Sequence, residues 1–133
     1  NVLFDAINND KTPDLRSLVL YNYNIGHEDA KALADAINSD KMLNLQYLRL
    51  MGSNLKFNGV KNFTEAIKNK KLSNLKILDL SYNNIDLKEL SVLFDSINIY
   101  TTPNLEHLNL SYNKITFDGI QNKKGNNRRE TTS

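Results

Sequence analysis

Leucines divide the chain into units of constant length. They occur in triplets, and the triplets follow one another at intervals of thirty residues: Leu15, Leu18 and Leu20; Leu45, Leu48 and Leu50; Leu75, Leu78 and Leu80; Leu105, Leu108 and Leu110. A further apolar residue follows each triplet by five positions, as Ile25, Leu55, Ile85 and Ile115. A fixed period of this length is typical of a solenoid, in which each unit packs only against its neighbours.

The hydrophobic period changes within each unit and predicts two elements. Around Leu78 and Leu80 the side chains alternate with a spacing of two, which predicts a short strand with one buried side. Later in the same unit the spacing is i, i+3, i+4, i+7, which predicts one buried face of a helix. The helix-face positions are Leu90, Leu93, Phe94 and Ile97, and their counterparts are Leu3, Phe4 and Ile7; Ala30, Leu33, Ala34 and Ile37; Val60, Phe63, Thr64 and Ile67. Each unit is therefore predicted to be a strand followed by a helix.

Two helix starts carry capping signals. Asp86 and Glu89 have the spacing of a capping box, with Asp in place of Ser or Thr, and Thr116 is the candidate cap one unit later.

One such unit cannot bury its apolar face alone, so the units are predicted to stack. Stacking forms a continuous parallel sheet with the helices on its other side, and the wider helices curve the stack with the strands inside. Residues 2–14 match residues 92–104 at a shift of ninety, so the chain is expected to begin within the second half of a unit. We predict one repeat domain over residues 1–120, followed by a polar, basic and flexible tail over 121–133. The domain comprises a partial unit at 1–14, full units at 15–44, 45–74 and 75–104, and a partial unit at 105–120.

The repeated phrase resembles a known family. LKILDLSYNNI at 75–85 and LEHLNLSYNKI at 105–115 follow the pattern L-x-x-L-x-L-x-x-N-x-I, which resembles the leucine-rich repeat, and the long period resembles its ribonuclease-inhibitor-like subclass. The resemblance covers about residues 2–120. It implies an α/β fold, a right-handed horseshoe-shaped solenoid with short parallel strands on the concave face and α-helices on the convex face. It also implies that the concave face binds proteins.

The ninth position of the motif departs from the family in two units. The family's Asn at this position bonds backbone groups of the turn and forms a ladder along the stack. Asn83 and Asn113 match, whereas Tyr23 and Ser53 stand in the earlier copies. We expect Ser53 to make one such hydrogen bond through its hydroxyl, and the turn at Tyr23 to be altered, with Asn22 or Asn24 satisfying the backbone.

Charge argues against a nucleic-acid partner. The net charge is +2, but residues 121–133 carry +3 and the remaining residues −1. A nucleic-acid binder should carry a basic stripe on its folded face. The nearest candidate is interpreted as a solvated helix face and the loop after it: Lys56, Lys61, Lys68, Lys70 and Lys71. No apolar run reaches the ~18 residues of a membrane helix, so we also expect no membrane partner.

The residues give little support for catalysis. Cysteine is absent, which excludes disulfides, thiolate metal sites and a cysteine nucleophile, and suits a reducing compartment such as the cytoplasm. His107 and Asp79, one strand apart, are a conceivable acid–base pair, but the preferred interpretation is that both are ordinary polar residues of an exposed sheet. No phosphate loop, zinc-ligand spacing or nucleophile elbow occurs. The chain is predicted to have no enzymatic activity, cofactor or metal.

The outward positions of the strands form the candidate binding surface. Tyr and Arg are common interface anchors, and the predicted contact residues are Tyr47, Arg49, Ile77, Asp79, Tyr82, His107, Asn109 and Tyr112. The alternative is that the Tyr and Ile side chains only cover the sheet. The partner's identity is not encoded, and similar repeats in small-GTPase activators, actin-filament capping proteins and immune-receptor sensors suggest a regulatory fragment as the alternative function.

The ends of the stack carry no evident capping unit. The strands at Leu15 and Leu105 should each present an open sheet edge and an apolar flank. A monomeric segment of a longer horseshoe is favoured, and association through an edge is the alternative.

Overall fold

Strands and helices alternate as the repeat predicts. The computed structural model describes residues 5–7, 9, 14–22, 24–55 and 57–114, and all their side chains except those of His27, Phe57 and Asn58. Residues 5–7 are helical. The elements that follow are β1 (Ser17–Val19), α1 (His27–Asn38), β2 (Tyr47–Arg49), α2 (Phe57–Lys68), β3 (Ile77–Asp79), α3 (Leu87–Ser96) and β4 (His107–Asn109).

The strands form one parallel sheet in the order β1-β2-β3-β4. Their register repeats the sequence period, because Leu18 pairs with Leu48, Leu48 with Leu78, and Leu78 with Leu108. Equivalent residues of successive units therefore lie side by side across the sheet. This arrangement is an α/β solenoid, as the sequence predicts.

Burial of the strand leucines decreases at the β4 edge of the sheet. Leu48 and Leu78, on the two inner strands, are fully buried. Leu108, on the edge strand β4, is only half-buried. An inner strand has a neighbouring unit on each side, whereas β4 is flanked by a described strand on one side only. At the other edge, Leu18 on β1 is buried, so the core extends from the first units to β3 and is open at β4.

The predicted helix face is correct in α2 and partly wrong in α3. All four predicted positions of α2 are buried: Val60, Phe63, Thr64 and Ile67. In α3, Phe94 is 60% exposed, and the helix ends at Ser96, before Ile97. Phe94 occupies the position of Thr64, which lies against α3 in the groove between the two helices. Thr64 is covered by the next helix, α3. Within the described residues no helix packs on the equivalent side of α3, so Phe94 stays exposed although its spacing marks it as part of the buried face.

The predicted cap of α3 is present. Asp86 Oδ1 accepts a hydrogen bond of 2.8 Å from the Glu89 backbone N–H. Partial burial, and then a side-chain hydrogen bond and charge repulsion from Asp86, raise the pKa of the Glu89 carboxyl above its ordinary value of 4.5. Folding therefore makes the protonated form of Glu89 more favourable than it is in the unfolded chain.

Glu89→Gln is expected to stabilise the fold at neutral pH, because the amide imitates the protonated carboxyl. A raised pKa means that the contribution of Glu89 to stability is fully present below pH 4.5 and is lost as the pH rises through the folded pKa. The advantage of the variant should therefore disappear under acidic conditions. Urea unfolding at several pH values measures it, and Glu65→Gln, on the exposed side of α2, is the matched control. A variant less stable than wild type at pH 7 would contradict the expectation.

Several predictions lie outside the described residues. They concern Leu3, Phe4, Tyr23, Lys56, Thr116 and the tail at 121–133. The domain boundary at residue 120 lies there too and stays a prediction. In the part of the chain that the structure describes, no helix has the length and apolar character needed to cross a membrane.

Candidate functional site

The sheet register gathers the predicted contact residues into rows. Tyr47, Ile77 and His107 form one row across β2, β3 and β4, and Arg49, Asp79 and Asn109 form the next. Tyr82 and Tyr112 follow in the turns after β3 and β4. All eight residues thus lie on the strand side of three adjacent units. Seven are at least partly exposed, and Asp79 is the exception.

Asp79 was expected on the exposed surface, and that expectation is wrong. It is 7% exposed, and its Oδ1 accepts hydrogen bonds from the Ser81 backbone N–H at 3.0 Å and the Ser81 hydroxyl at 2.7 Å. Asp79 also lies between Arg49 and Asn109 on the neighbouring strands. Its carboxylate therefore organises the turn after β3 and presents little surface to a partner.

The turn after β4 repeats this arrangement. Asn109 Oδ1 accepts from the Ser111 backbone N–H at 3.0 Å and from the Ser111 hydroxyl at 2.6 Å. Asn109 is exposed because β4 has a described neighbour on one side only. In both units the serine that precedes the tyrosine is therefore fixed by the last residue of the strand.

Tyr82 and Tyr112 form a stacked pair beside the sheet. Their ring centroids are 4.5 Å apart, and the ring planes differ by 6°. Tyr82 is 53% exposed and Tyr112 is 72% exposed. An exposed stack of this kind presents a large, rigid and amphipathic surface, as interface anchors do.

Both tyrosines have left-handed backbone conformations. Their φ angles are +57° for Tyr82 and +55° for Tyr112, and the same position holds Asn22 at +49° and Gly52 at +64° in the earlier units. Asn and Gly tolerate this region, whereas it is unfavourable for a bulky side chain. Asn22 and Gly52 are thus the sequence signal of a left-handed position in this row.

The asparagine after each tyrosine stabilises the turn through its side chain. Asn83 Oδ1 accepts from the backbone N–H groups of Ser53 at 3.0 Å and Leu55 at 3.1 Å, and its Nδ2 donates to the carbonyls of Leu50 and Ser81. Asn113 makes the equivalent bonds one unit later. The predicted asparagine ladder is present at both positions, and it fixes the backbone on which the tyrosines stand.

Ser53 does not make the predicted ladder bond. Its side chain is fully buried, and its hydroxyl has no hydrogen-bond partner. The Ser53 backbone carbonyl accepts from the Ile25 N–H at 3.0 Å. The Ser53 carbonyl thus accepts the hydrogen bond that the Asn83 side chain accepts one unit later, from the Leu55 N–H. The Ser53 hydroxyl has no function in the ladder.

The conceivable acid–base pair is not assembled. His107 lies opposite Ile77, and Asp79 lies opposite Asn109. The Asp79 Oδ1 is engaged by Ser81, and no hydrogen bond joins His107 to Asp79 among the described residues. The described part of the chain also holds no group of three or more His, Cys, Asp or Glu side chains arranged for a metal ion.

The helix side offers a groove of mixed charge. A space of about 460 Å³ lies between α2 and α3. Three lysines and three carboxylates line it together with Val60, Thr64 and Val92: Lys61, Lys68 and Lys88, and Glu65, Asp86 and Glu89. The Thr64 hydroxyl is buried and has no partner, so it is not on the groove surface. The balanced charges favour no class of ionic ligand.

The predicted lysine set lies on the helix side and the loop after it. Lys61, Lys68 and Lys70 are exposed, and Lys71 forms an ion pair of 2.5 Å with Asp40. These four residues fit the interpretation of a solvated helix face and loop.

An apolar surface that the sequence did not predict lies after α3. Ile99 and Tyr100 are each 74% exposed, and they stand at the tip of a turn in which Asn98 Oδ1 accepts from the N–H groups of Tyr100 and Thr101. The same position holds Ser39-Asp40 and Asn69-Lys70 in earlier units, so only this unit carries an apolar tip.

Comparisons with known proteins agree with this geometry. The sequence model of a family described as Leucine Rich repeat matches residues 71–91 and 102–122. No curated protein matches the sequence significantly. A solved structure from Caenorhabditis elegans, the tropomodulin C-terminal domain, is similar with a TM-score of 0.70 and 16% sequence identity, over 90% of this chain and 68% of that chain. The family model thus recognises the repeat in two of its copies, and the solved structure shares the fold over most of the chain.

Proposed function

We propose that this chain, which matches a leucine-rich-repeat model at residues 71–91 and 102–122, is a non-catalytic module that binds a partner protein through the strand side of its solenoid. The observation that carries the proposal is the exposed Tyr82–Tyr112 stack. The stack lies in the turns that follow β3 and β4, beside the rows that hold Tyr47, Arg49 and Ile77. The proposed contact surface consists of these residues with His107, Asn109 and Tyr112.

Folding alone favours asparagine or glycine over tyrosine at positions 82 and 112. A left-handed conformation costs a bulky residue on the order of 1 kcal/mol or more, and the exposed rings recover only part of that through stacking. A partner that covers both rings would add the apolar burial that folding leaves unused. The strained, exposed pair therefore supports an interaction surface.

The stack is also preorganised for binding. Ser81 and Ser111 precede the tyrosines and are fixed by Asp79 and Asn109. Asn83 and Asn113 follow them and are fixed in the ladder. Side chains held in one arrangement lose little conformational freedom on association, which favours affinity.

The test is a variant with Tyr47→Ala and Arg49→Ala. Proteins captured by the wild-type chain from a lysate of the source cells are identified, and the dissociation constant of one purified partner is measured for wild type and variant. Tyr47 and Arg49 are half-buried strand residues, so the expected result is a loss of roughly tenfold or more in affinity with the fold retained.

Tyr100→Ala with Lys61→Ala is the matched control, because it also removes one tyrosine and one cation. Both residues are exposed and lie outside the proposed surface. Equal dissociation constants for wild type and the Tyr47/Arg49 variant, with a weakened control, would contradict binding through the strand side.

A regulatory fragment of a larger repeat protein is the second candidate function. Because similar repeats occur in actin-filament capping proteins, an actin filament is the first partner to test. A filament-end regulator would slow the growth of actin filaments in the presence of the chain. A small-GTPase activator would instead accelerate GTP hydrolysis by a candidate GTPase.

We propose that the module is cytoplasmic and that it is a monomer. The alternative to a monomer is association through an open edge of the sheet. Among the described strands, β1 and β4 are the edges of the sheet. Light scattering of the purified chain over a range of concentrations distinguishes the two states.

A further inference from the structure

One position in the row of turn residues has no side chain. The row runs Asn22, Gly52, Tyr82, Tyr112. Its members are joined by backbone bonds to the neighbouring unit, in which the N–H groups of Asn22, Gly52 and Tyr82 donate to Met51, Ser81 and Ser111. Successive members are thus about 4.8 Å apart, the spacing of paired strands. Tyr112 stacks on one face of the Tyr82 ring. The next member of the row on the other side of Tyr82 is Gly52, which supplies no ring to stack on the second face.

The Asn22 side chain extends from the far side into the space above Gly52. A Cβ atom built on Gly52 would have three Asn22 atoms as its nearest neighbours, with Asn22 Oδ1 at 2.5 Å. None of these three atoms belongs to Tyr82. Asn22 and Tyr82 are two strand spacings apart, about 10 Å. The Asn22 amide occupies part of this interval, so a planar group between them has to displace it toward the far side. The Gly52 slot, defined by Asn22, Gly52 and Tyr82, therefore has an aromatic wall and an amide wall.

We propose that the partner inserts an aromatic side chain into the Gly52 slot. The inference rests on the proposed function, and it specifies the chemistry of the contact. The inserted ring would stack on Tyr82 and extend the Tyr82–Tyr112 pair to three parallel rings. A ring with an N–H or O–H group at its edge can also donate to Asn22 Oδ1.

Charge and shape favour an aromatic group over the other planar or apolar groups. A guanidinium also stacks on aromatic rings. Arg49, however, lies three residues before Gly52 and opposes a second cation. An aliphatic side chain gains no stacking from Tyr82. A neutral ring avoids the repulsion and uses the exposed face.

Small amides test the slot without the partner. N-acetyl-tryptophanamide, N-acetyl-leucinamide and N-acetyl-argininamide are each titrated into the ¹⁵N-labelled chain while the backbone amide resonances are recorded. The expected result is saturable binding of the tryptophan amide in the range of about 1 to 10 mM, with the largest shifts at Gly52 and Tyr82. The other two amides should bind about fivefold more weakly or not at all.

Tyr82→Asn is the diagnostic variant, because asparagine already occupies the same left-handed position at Asn22. It should weaken the tryptophan amide about fivefold, whereas Tyr100→Asn, which changes an exposed tyrosine elsewhere, should leave the affinity unchanged. Unaltered binding in Tyr82→Asn, equal binding of the leucine amide or stronger binding of the arginine amide would overturn the inference.

The amide titration and the partner experiment fail separately. If the tryptophan amide does not bind but the Tyr47/Arg49 variant loses the partner, the aromatic slot is refuted and the interaction module stands. If the amide binds as expected but the partner's affinity is insensitive to Tyr47 and Arg49, the proposed function is refuted at those residues and the slot stands.

Discussion

Asn83→Ala is expected to destabilise the fold by about 4 kcal/mol. The side chain is fully buried and satisfies two backbone N–H groups, of Ser53 and Leu55, and two carbonyls, of Leu50 and Ser81. Alanine leaves these groups without their partner, and an unpaired buried polar group costs on the order of 1–3 kcal/mol. Urea unfolding followed by circular dichroism measures the change, together with the m-value that checks two-state behaviour.

Ser53→Ala is the matched control at the equivalent position one unit earlier. The Ser53 hydroxyl is buried without a partner, so its removal should leave stability unchanged or slightly increased. Asn113→Ala should have an intermediate cost, because Asn113 makes similar bonds but is only partly buried. Equal effects of Asn83→Ala and Ser53→Ala would show that the side-chain ladder does not hold the turns.

Tyr82→Gly with Tyr112→Gly should separate binding from folding. Glycine accepts the left-handed conformation of both positions, as Gly52 does in the same row, and this gain offsets the lost stacking of about 0.5–1.5 kcal/mol. Stability should therefore change by no more than about 1 kcal/mol. Partner affinity should fall by roughly a hundredfold or more, because two clustered, exposed and rigid aromatic anchors are removed.

Calorimetry or surface plasmon resonance gives the affinities, and thermal unfolding gives the stability. Tyr100→Ala is the control, since Tyr100 is as exposed as Tyr112 but lies after α3. A partner that binds the double glycine variant as tightly as wild type would remove the tyrosine stack from the interface. A large loss of stability would instead show that the stack serves the fold.

Periodicity was sufficient for the architecture. The interval of thirty residues places Leu18, Leu48, Leu78 and Leu108 in register, and the parallel sheet has this register. The helix spacing predicts the buried face of α2, and the Asp86 cap is found where its spacing indicates. These features depend on local patterns or on the repeat itself, so a single sequence contains them.

Features that depend on neighbouring units were harder to predict. Alternation places Asp79 outward, but Ser81 and two flanking strands draw its carboxylate into the turn. Helix spacing marks Phe94 as buried, but its burial requires a helix against the outer flank of α3. Ser53 has a hydroxyl suited to the ladder, yet the backbone carbonyl makes the bond to Ile25.

The candidate site was predicted as a set of residues without its geometry. The strand positions and the two tyrosines follow from alternation and from the known preference of interfaces for Tyr and Arg. The stacking of Tyr82 on Tyr112 requires the left-handed turn, which the row containing Asn22 and Gly52 indicates only when all four units are compared. The leucine repeat that defines the fold hence says little about which exposed side chains contact one another.

Hydrogen–deuterium exchange of the chain with and without its captured partner tests the central claim most directly. Binding through the strand side predicts slower exchange in peptides that contain β2, β3, β4 and the turns at Gly52, Tyr82 and Tyr112. Exchange in α1 and α2 should not change. Protection confined to the helices, with unchanged exchange in the strands and their turns, would contradict the proposed binding surface.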